Sequence, residues 1–259
     1  MTYLQFLALF IAPLLLLAAL HAHRTRRAHP DRPWRTGLTV LALLWAAAWV
    51  WTTPWDSWII HRGVWSYPEG RVLATVFRVP LEEYVFMAAQ TLIVGLWTLS
   101  RIATGTPDVT LNTRCLRVSW GNVWLLAASA GAAMALHGPS GTYLGSMLLW
   151  FAPLLAVQSY VGADVLHACR PIRLTSLLPV AACLWIADRI AIALGIWQIS
   201  TTRTYGPTLL GLPLEEALFF LLTSLLVTNG LVLATHPRIR HRLRLPTAEA
   251  RSPRHQVAP

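Results

Sequence analysis

Residues 80–97 read PLEEYVFMAAQTLIVGLW, and residues 213–230 read PLEEALFFLLTSLLVTNG. Each stretch opens with a proline and two glutamates and then stays apolar for the length of a membrane helix. Proline suits the first position of a helix, and acids in the first turn are favoured by the helix dipole. One Pro-Leu-Glu-Glu would be an ordinary helix start. Two copies, each about 26 residues after an aspartate (Asp56 and Asp188), indicate a duplicated unit.

Other echoes occur in the same order. Tyr3-Leu4 precedes Ala12-Pro13-Leu14-Leu15, and Tyr143-Leu144 precedes Ala152-Pro153-Leu154-Leu155 at the same spacing. Asp56, Gly63 and Trp65 match Asp188, Gly195 and Trp197. A bilayer core about 30 Å thick needs roughly 20 apolar residues as helix. Seven stretches qualify, near 3–20, 38–55, 81–99, 118–136, 143–165, 174–196 and 212–234; the fourth is the least apolar, being rich in Ala and Gly. The expected fold is therefore all-α and polytopic, with about seven transmembrane helices. Residues 1–104 form one three-helix repeat, residues 115–140 a linking helix, residues 141–236 a second three-helix repeat, and residues 237–259 a basic disordered tail. Three spans plus one is an even number, so the two repeats enter the membrane in the same direction, a parallel arrangement known in some transporter folds.

Composition agrees with this reading. The 259 residues are 55 % hydrophobic and 12 % charged, with 13 Trp and a mean hydropathy of +0.51. Soluble proteins carry about 25 % charged residues. The three cysteines have no disulfide or zinc spacing. The net charge of +10 comes from arginines set between apolar runs, which argues against a nucleic-acid partner. With the N-terminus outside, sixteen arginines fall on the cytoplasmic side and four on the outer side. Arginine bias sets orientation, so N-out and C-in is expected in an integral protein of the bilayer, with no cleaved leader.

Six of the eleven acids occupy the repeat positions: Asp56, Glu82, Glu83, Asp188, Glu215 and Glu216. Consecutive spans are antiparallel and the repeats parallel, so all six converge at one membrane face, the outer one. Ionisable groups in spans are costly and by default suggest function. Glu83, Phe86, Met87 and Gln90 fall on one helix face, as do Glu216, Phe219, Phe220 and Thr223. Neighbouring carboxyls in an apolar setting cannot all ionise, so the cluster suits an acid that protonates an apolar substrate and a partner that takes a proton back. Trp55, Trp58, Trp65 and Trp197 lie at the same face, as interfacial anchors or facing a cation. Arg189 adjoins Asp188 but is expected to pair with an acid on another span, breaking the symmetry in favour of the second half.

No GxGxxG and no Walker A sequence is present, so no nucleotide cofactor is expected. The absence of lysine excludes a retinal Schiff base, and the absence of DxxxD argues against a magnesium-dependent prenyltransferase. A parallel-repeat small-solute transporter is the alternative, although it would place its polar groups at mid-membrane.

The doubled Pro80–Glu83 and Pro213–Glu216 motifs, with the segment Leu212–Asn229, resemble the lycopene cyclase domain family over about residues 1–236. That family includes the heterodimeric bacterial cyclases, their single-chain fusions and the cyclase half of fungal bifunctional enzymes. The resemblance implies an isomerase, of the intramolecular lyase type, that closes the ends of lycopene or another acyclic carotenoid to β (or ε) rings. It implies the bilayer, and other carotenoid-pathway membrane enzymes, as partners, and carries catalytic roles to Glu82, Glu83, Glu215 and Glu216. Asp56 and Asp188 rest on the repeat. Trp55, Trp65, Phe86, Gln90, Arg189, Trp197, Phe219 and Thr223 are the expected substrate-facing residues.

Overall fold

The computed structural model describes residues 1–32, 34–109 and 113–243. Seven long helices follow one another: α1 (Tyr3–Ala28), α2 (Trp34–His61), α3 (Leu81–Ala103), α4 (Arg114–Leu136), α5 (Thr142–Ala168), α6 (Arg170–Ala193) and α7 (Leu214–Thr235). A short α8 (Pro237–Arg242) begins what the sequence suggested as a disordered tail. Its Ile239 is buried, and Arg242 pairs with Asp164 at 2.7 Å. Residues 244–259 of the expected tail lie outside the described residues.

Six of these helices are long and apolar enough to cross a membrane. The seventh expected span, α4, is a helix of 23 residues but is not among the six. Its Ala, Gly and Ser residues serve a different purpose, close packing on α5. A Cβ on Gly131 would sit 2.7 Å from the Gly145 carbonyl oxygen, and one on Gly145 would sit 2.6 Å from the Ala135 nitrogen. Small residues at such a seam let two helix backbones approach closely in lipid. Helix α1 contains a wider π turn at Leu7–Ile11, before Pro13. Proline removes one helical donor, and the loosened turn absorbs the mismatch.

At one end of the bundle the two halves build the same loop twice. The Gly63 and Gly195 amides close α2 and α6 onto Ile60 and Ile192, and both glycines have positive φ, the left-handed geometry that ends a helix. The Tyr3 amide then donates to Arg71, and the Tyr143 amide to Arg203, tying the start of α1 and α5 to these loops. Each loop ends in a two-residue hairpin, β2 (Thr75–Val76) with β3 (Val79–Pro80) and β5 (Thr208–Leu209) with β6 (Leu212–Pro213), leading directly into α3 and α7. Between them, β1 (Trp65–Ser66) pairs antiparallel with β4 (Gln198–Ile199) and joins the halves. Both turn residues of each hairpin have positive φ: Phe77 and Arg78, and Leu210 and Gly211. This is the turn whose twist matches paired strands.

Helices α3 and α7 meet along the centre. Gln90 donates to Thr223 at 2.8 Å, and Thr98 and Thr228 share a hydrogen bond at 3.4 Å. Polar pairs of this kind hold apolar helices together where water is absent.

Candidate active site

The first glutamate of each pair does not point into the bundle centre. Glu82 Oε1 accepts the Leu73 amide at 2.9 Å, and Glu215 Oε1 accepts the Tyr205 amide at 2.7 Å. Each carboxyl reaches back to the loop that precedes its helix. The interaction fixes that loop against the helix start, where the dipole favours an acid. Both residues are buried, at 1 % exposure.

One helical position onward, about 100° around the axis, the second glutamate turns inward. Glu216 Oε1 accepts two donors, the Tyr143 hydroxyl and Trp65 Nε1, each at 2.8 Å. Glu83 Oε1 accepts the Tyr67 hydroxyl at 2.6 Å. The Tyr67 phenol lies in the loop outside the spans. Burial first, and the Glu83 charge second, push its pKa well above the ordinary 10, so it remains a donor. Asp188 Oδ1 accepts Trp197 Nε1 at 2.9 Å, while its Oδ2 is buried with no hydrogen bond. Asp56 is 1 % exposed, and its Oδ1 has no partner. An unpaired buried carboxyl oxygen is costly to keep, and Glu82 Oε2 and Glu215 Oε2 share this state with the two aspartates.

Glu83, Asp188 and Glu216 line one small cavity of about 20 Å³, walled by Tyr3, Tyr67, Phe86, Trp65, Trp197, Phe219 and Phe220. Asp56 lies within electrostatic reach of Glu83 and Glu216. Among the described residues, no group of three or more His, Cys, Asp or Glu side chains is placed to hold a metal ion.

The aromatic wall is continuous. Trp55 stacks on Phe219 at 5.6 Å and meets Trp65 edge-on at 5.7 Å; Phe219 and Phe220 are 5.4 Å apart. Such rings present negative faces to a cation. The expected inward faces of α3 and α7 are present: Glu83, Phe86, Met87, Gln90, Glu216, Phe219 and Phe220 are all buried and Thr223 is half-buried. Gln90 and Thr223 bond each other at the seam rather than standing free.

One expectation is corrected. Arg189 forms no ion pair with an acid among the described residues. It is exposed and lies over the β5–β6 turn, where a Cβ on Gly211 would be 2.7 Å from its Nε. The reason is helical phase: Asp188 faces inward, so its neighbour faces the hairpin. Trp58 is 40 % exposed and lies under the Arg62 guanidinium at 5.5 Å, which agrees with an interfacial ring facing a cation. Sequence reasoning also missed Tyr3, Tyr67 and Tyr143 as site residues. The signal for two of them was present, since Tyr3 and Tyr143 head matching segments, but those segments read only as span starts.

Apolar helices, six of them long enough to cross a membrane, thus enclose carboxyls, phenols and indoles in one cavity. The chain belongs to the lycopene cyclase family, which matches residues 1–99 and 140–233. The unmatched stretch between these segments contains α4. A lycopene beta-cyclase of Halobacterium salinarum is 37 % identical over 232 residues, covering 90 % of this chain and 95 % of that protein. The bifunctional lycopene cyclase/phytoene synthase of Pyrenophora tritici-repentis is 37 % identical over 69 % of this chain and 33 % of that protein. The corresponding protein of Leptosphaeria maculans is 36 % identical over 77 % of this chain and 37 % of its own length. No solved structure matches.

Proposed function

We propose that this lycopene cyclase closes the acyclic ends of lycopene to β-ionone rings by proton transfer within the Glu83–Asp188–Glu216 cavity. The observation that carries this reading is Glu216, held by two donors on one oxygen, inside a small aromatic-walled space shared with Glu83 and Asp188. The reaction is an isomerisation. A carboxyl protonates the terminal double bond, the cation closes on the neighbouring double bond, and a carboxylate removes a proton, so the proton gained equals the proton lost.

Each residue then has a task. Glu216 gives the proton, and the Tyr143 and Trp65 donors stabilise the negative charge left on it. Trp55, Trp65 and Phe219 face the passing cation. Glu83, Asp188 and Asp56 are the acceptors within reach, with Tyr67 and Trp197 orienting two of them. Glu82 and Glu215 are positioning residues that fix the loops carrying Tyr67 and bordering Trp197. The name of the Halobacterium relative supports a β ring.

The repeated loops, and the family match on either side of α4, support two fused three-helix units joined by that helix. Arginine placement supports N-out and C-in in a bacterial plasma membrane, with the acid cavity toward the outer face. A solute transporter is not favoured, because the acids gather at one end of the bundle in a small cavity instead of along a path. Pigment chromatography from lycopene-producing cells is the test. Conversion to cyclic carotenoid supports the assignment, and unchanged lycopene beside normally accumulated protein refutes it.

A further inference from the structure

The two halves place matching acids at matching positions, yet Glu83, Asp188 and Glu216 line a single cavity. The pseudo-symmetry therefore produces one acid site, not two. A cavity of about 20 Å³ does not hold a polyene end. A second, larger cavity of about 440 Å³ adjoins it and shares Phe219 with it. This crevice lies between α2, α3, α5 and α7, with Ala47, Ala48, Gln90, Phe151, Thr223 and Val227 in its walls. Its rim includes Val50, 77 % exposed, and Val157, 59 % exposed, on the outer surfaces of α2 and α5. That surface faces lipid in a membrane helix bundle.

The crevice also has a direction. Glu216 to Val227 is eleven residues, roughly 16 Å of helix at 1.5 Å per residue. It runs from the acids toward the middle of the bilayer, between apolar walls. At its head, Trp150 Nε1 donates to the Trp51 carbonyl at 3.0 Å, bridging α5 to α2.

The matching position between α6 and α1 is built differently. Phe6 stands where α5 has Ser146, is fully buried, and stacks on Phe10 at 5.0 Å and edge-on to Trp197 at 5.4 Å. Farther along, buried Ala18 and Ala22 bring α1 onto α3. Pro179 and Val180 replace Ala47 and Ala48.

On the cyclase reading above, we propose that the α2–α5 crevice is the polyene site and its lateral entrance from lipid, and that each visit closes one end of the substrate. Phe219 is the partition that moves aside as an end enters the acid cavity. The other end of an extended polyene points away from the Glu83–Asp188–Glu216 cavity. It is closed only after the monocyclic product has left, turned end for end, and entered again.

The test uses the full chain in phosphatidylcholine vesicles loaded with radiolabelled lycopene and an excess of unlabelled monocyclic carotenoid. Release between closures predicts label held in the monocyclic pool, with labelled bicyclic product lowered by the dilution factor. Labelled bicyclic product undiminished by the unlabelled pool overturns the proposal. Crevice filling gives a second measure. Ala48→Trp should raise the lycopene concentration for half-maximal rate about tenfold or more, whereas Cys183→Trp, exposed on α6 where α2 has Trp51, should leave it unchanged. Equal effects of the two substitutions also overturn it. Absence of any cyclic product from the parent chain instead refutes the cyclase assignment, and this inference falls with it.

Discussion

Trp65 and Glu216 stand 151 residues apart, in different halves of the chain, and are joined by a 2.8 Å hydrogen bond from the indole nitrogen to the carboxyl oxygen. At the matching position in the second half, Trp197 donates to Asp188, nine residues away in its own half. The same tryptophan thus serves a local acid in one half and a distant one in the other. A hydrogen bond to a charged group contributes about 1.5–3 kcal/mol. Trp65→Phe keeps the ring but removes the donor, and should lower the rate of lycopene conversion about 10–100-fold. The check is the turnover rate in membranes, normalised to protein by blot. An undiminished rate would remove Trp65 from the mechanism.

The glutamates of each pair should separate in mutagenesis. Glu216→Gln keeps an acceptor for Tyr143 and Trp65 but cannot give a proton in the same way, and should cost about 10²–10⁴-fold. Glu83→Gln should be impaired as well, though less, because Glu216 holds the position next to Phe219. Glu82→Gln and Glu215→Gln keep a carbonyl for the Leu73 and Tyr205 amides and should leave most of the activity. Pigment conversion by the four variants, at matched membrane abundance, decides this. Four variants that convert lycopene like the parent would show that the pairs act only as helix starts, and equal losses at all four would show that the two glutamates of each pair do not separate.

Tyr67 carries a pH prediction. Its pKa is raised, by burial first and by Glu83 second. A raised pKa means that the neutral donor, and the stability it contributes, are fully present below the ordinary tyrosine value near 10. They are lost only as pH climbs through the higher folded value. Tyr67 should therefore add nothing to the tyrosinate absorbance in the ordinary range. The absorbance titrations of the parent and Tyr67→Phe should coincide there and part at higher pH. Early divergence would place Tyr67 in water, away from Glu83.

The fused-repeat reading predicts that the chain tolerates a cut in the 104–114 loop. Coexpressed pieces should reassociate through the α3–α7 seam and the β1–β4 pairing, and should retain cyclase activity. Well-expressed pieces that fail to copurify would argue against two separable units.

The helices were legible in the sequence because lipid imposes a simple rule. A span must be long, apolar and internally hydrogen-bonded, so hydropathy located the six helices that meet this rule, and it read the seventh, α4, as a span although that helix falls short of it. The duplicated Asp and Pro-Leu-Glu-Glu motifs also located the acids at one end, since antiparallel spans leave no other choice. Helix phase was legible for α3 and α7, whose inward faces carry Glu83, Phe86, Glu216 and Phe219 as the spacing implied.

Arg189 was misread, because adjacency in sequence does not say which way a side chain faces when a loop folds over it; the β5–β6 turn sits over this arginine. Nor did sequence separate Glu82 from Glu83. Both are glutamates in a first turn, and only the return path of the preceding loop gives one a backbone amide and the other a phenol.

The sequence by itself determined the membrane class, the duplication and the supply of carboxyls, because these follow from composition and spacing along the chain. Tertiary structure decided which carboxyls meet, which phenols and indoles hold them, and that two similar halves make one cavity. Those outcomes depend on contacts such as Trp65 with Glu216 and Phe6 with Trp197, between segments far apart in the chain. Their geometry is set by how helices pack, which no local pattern encodes.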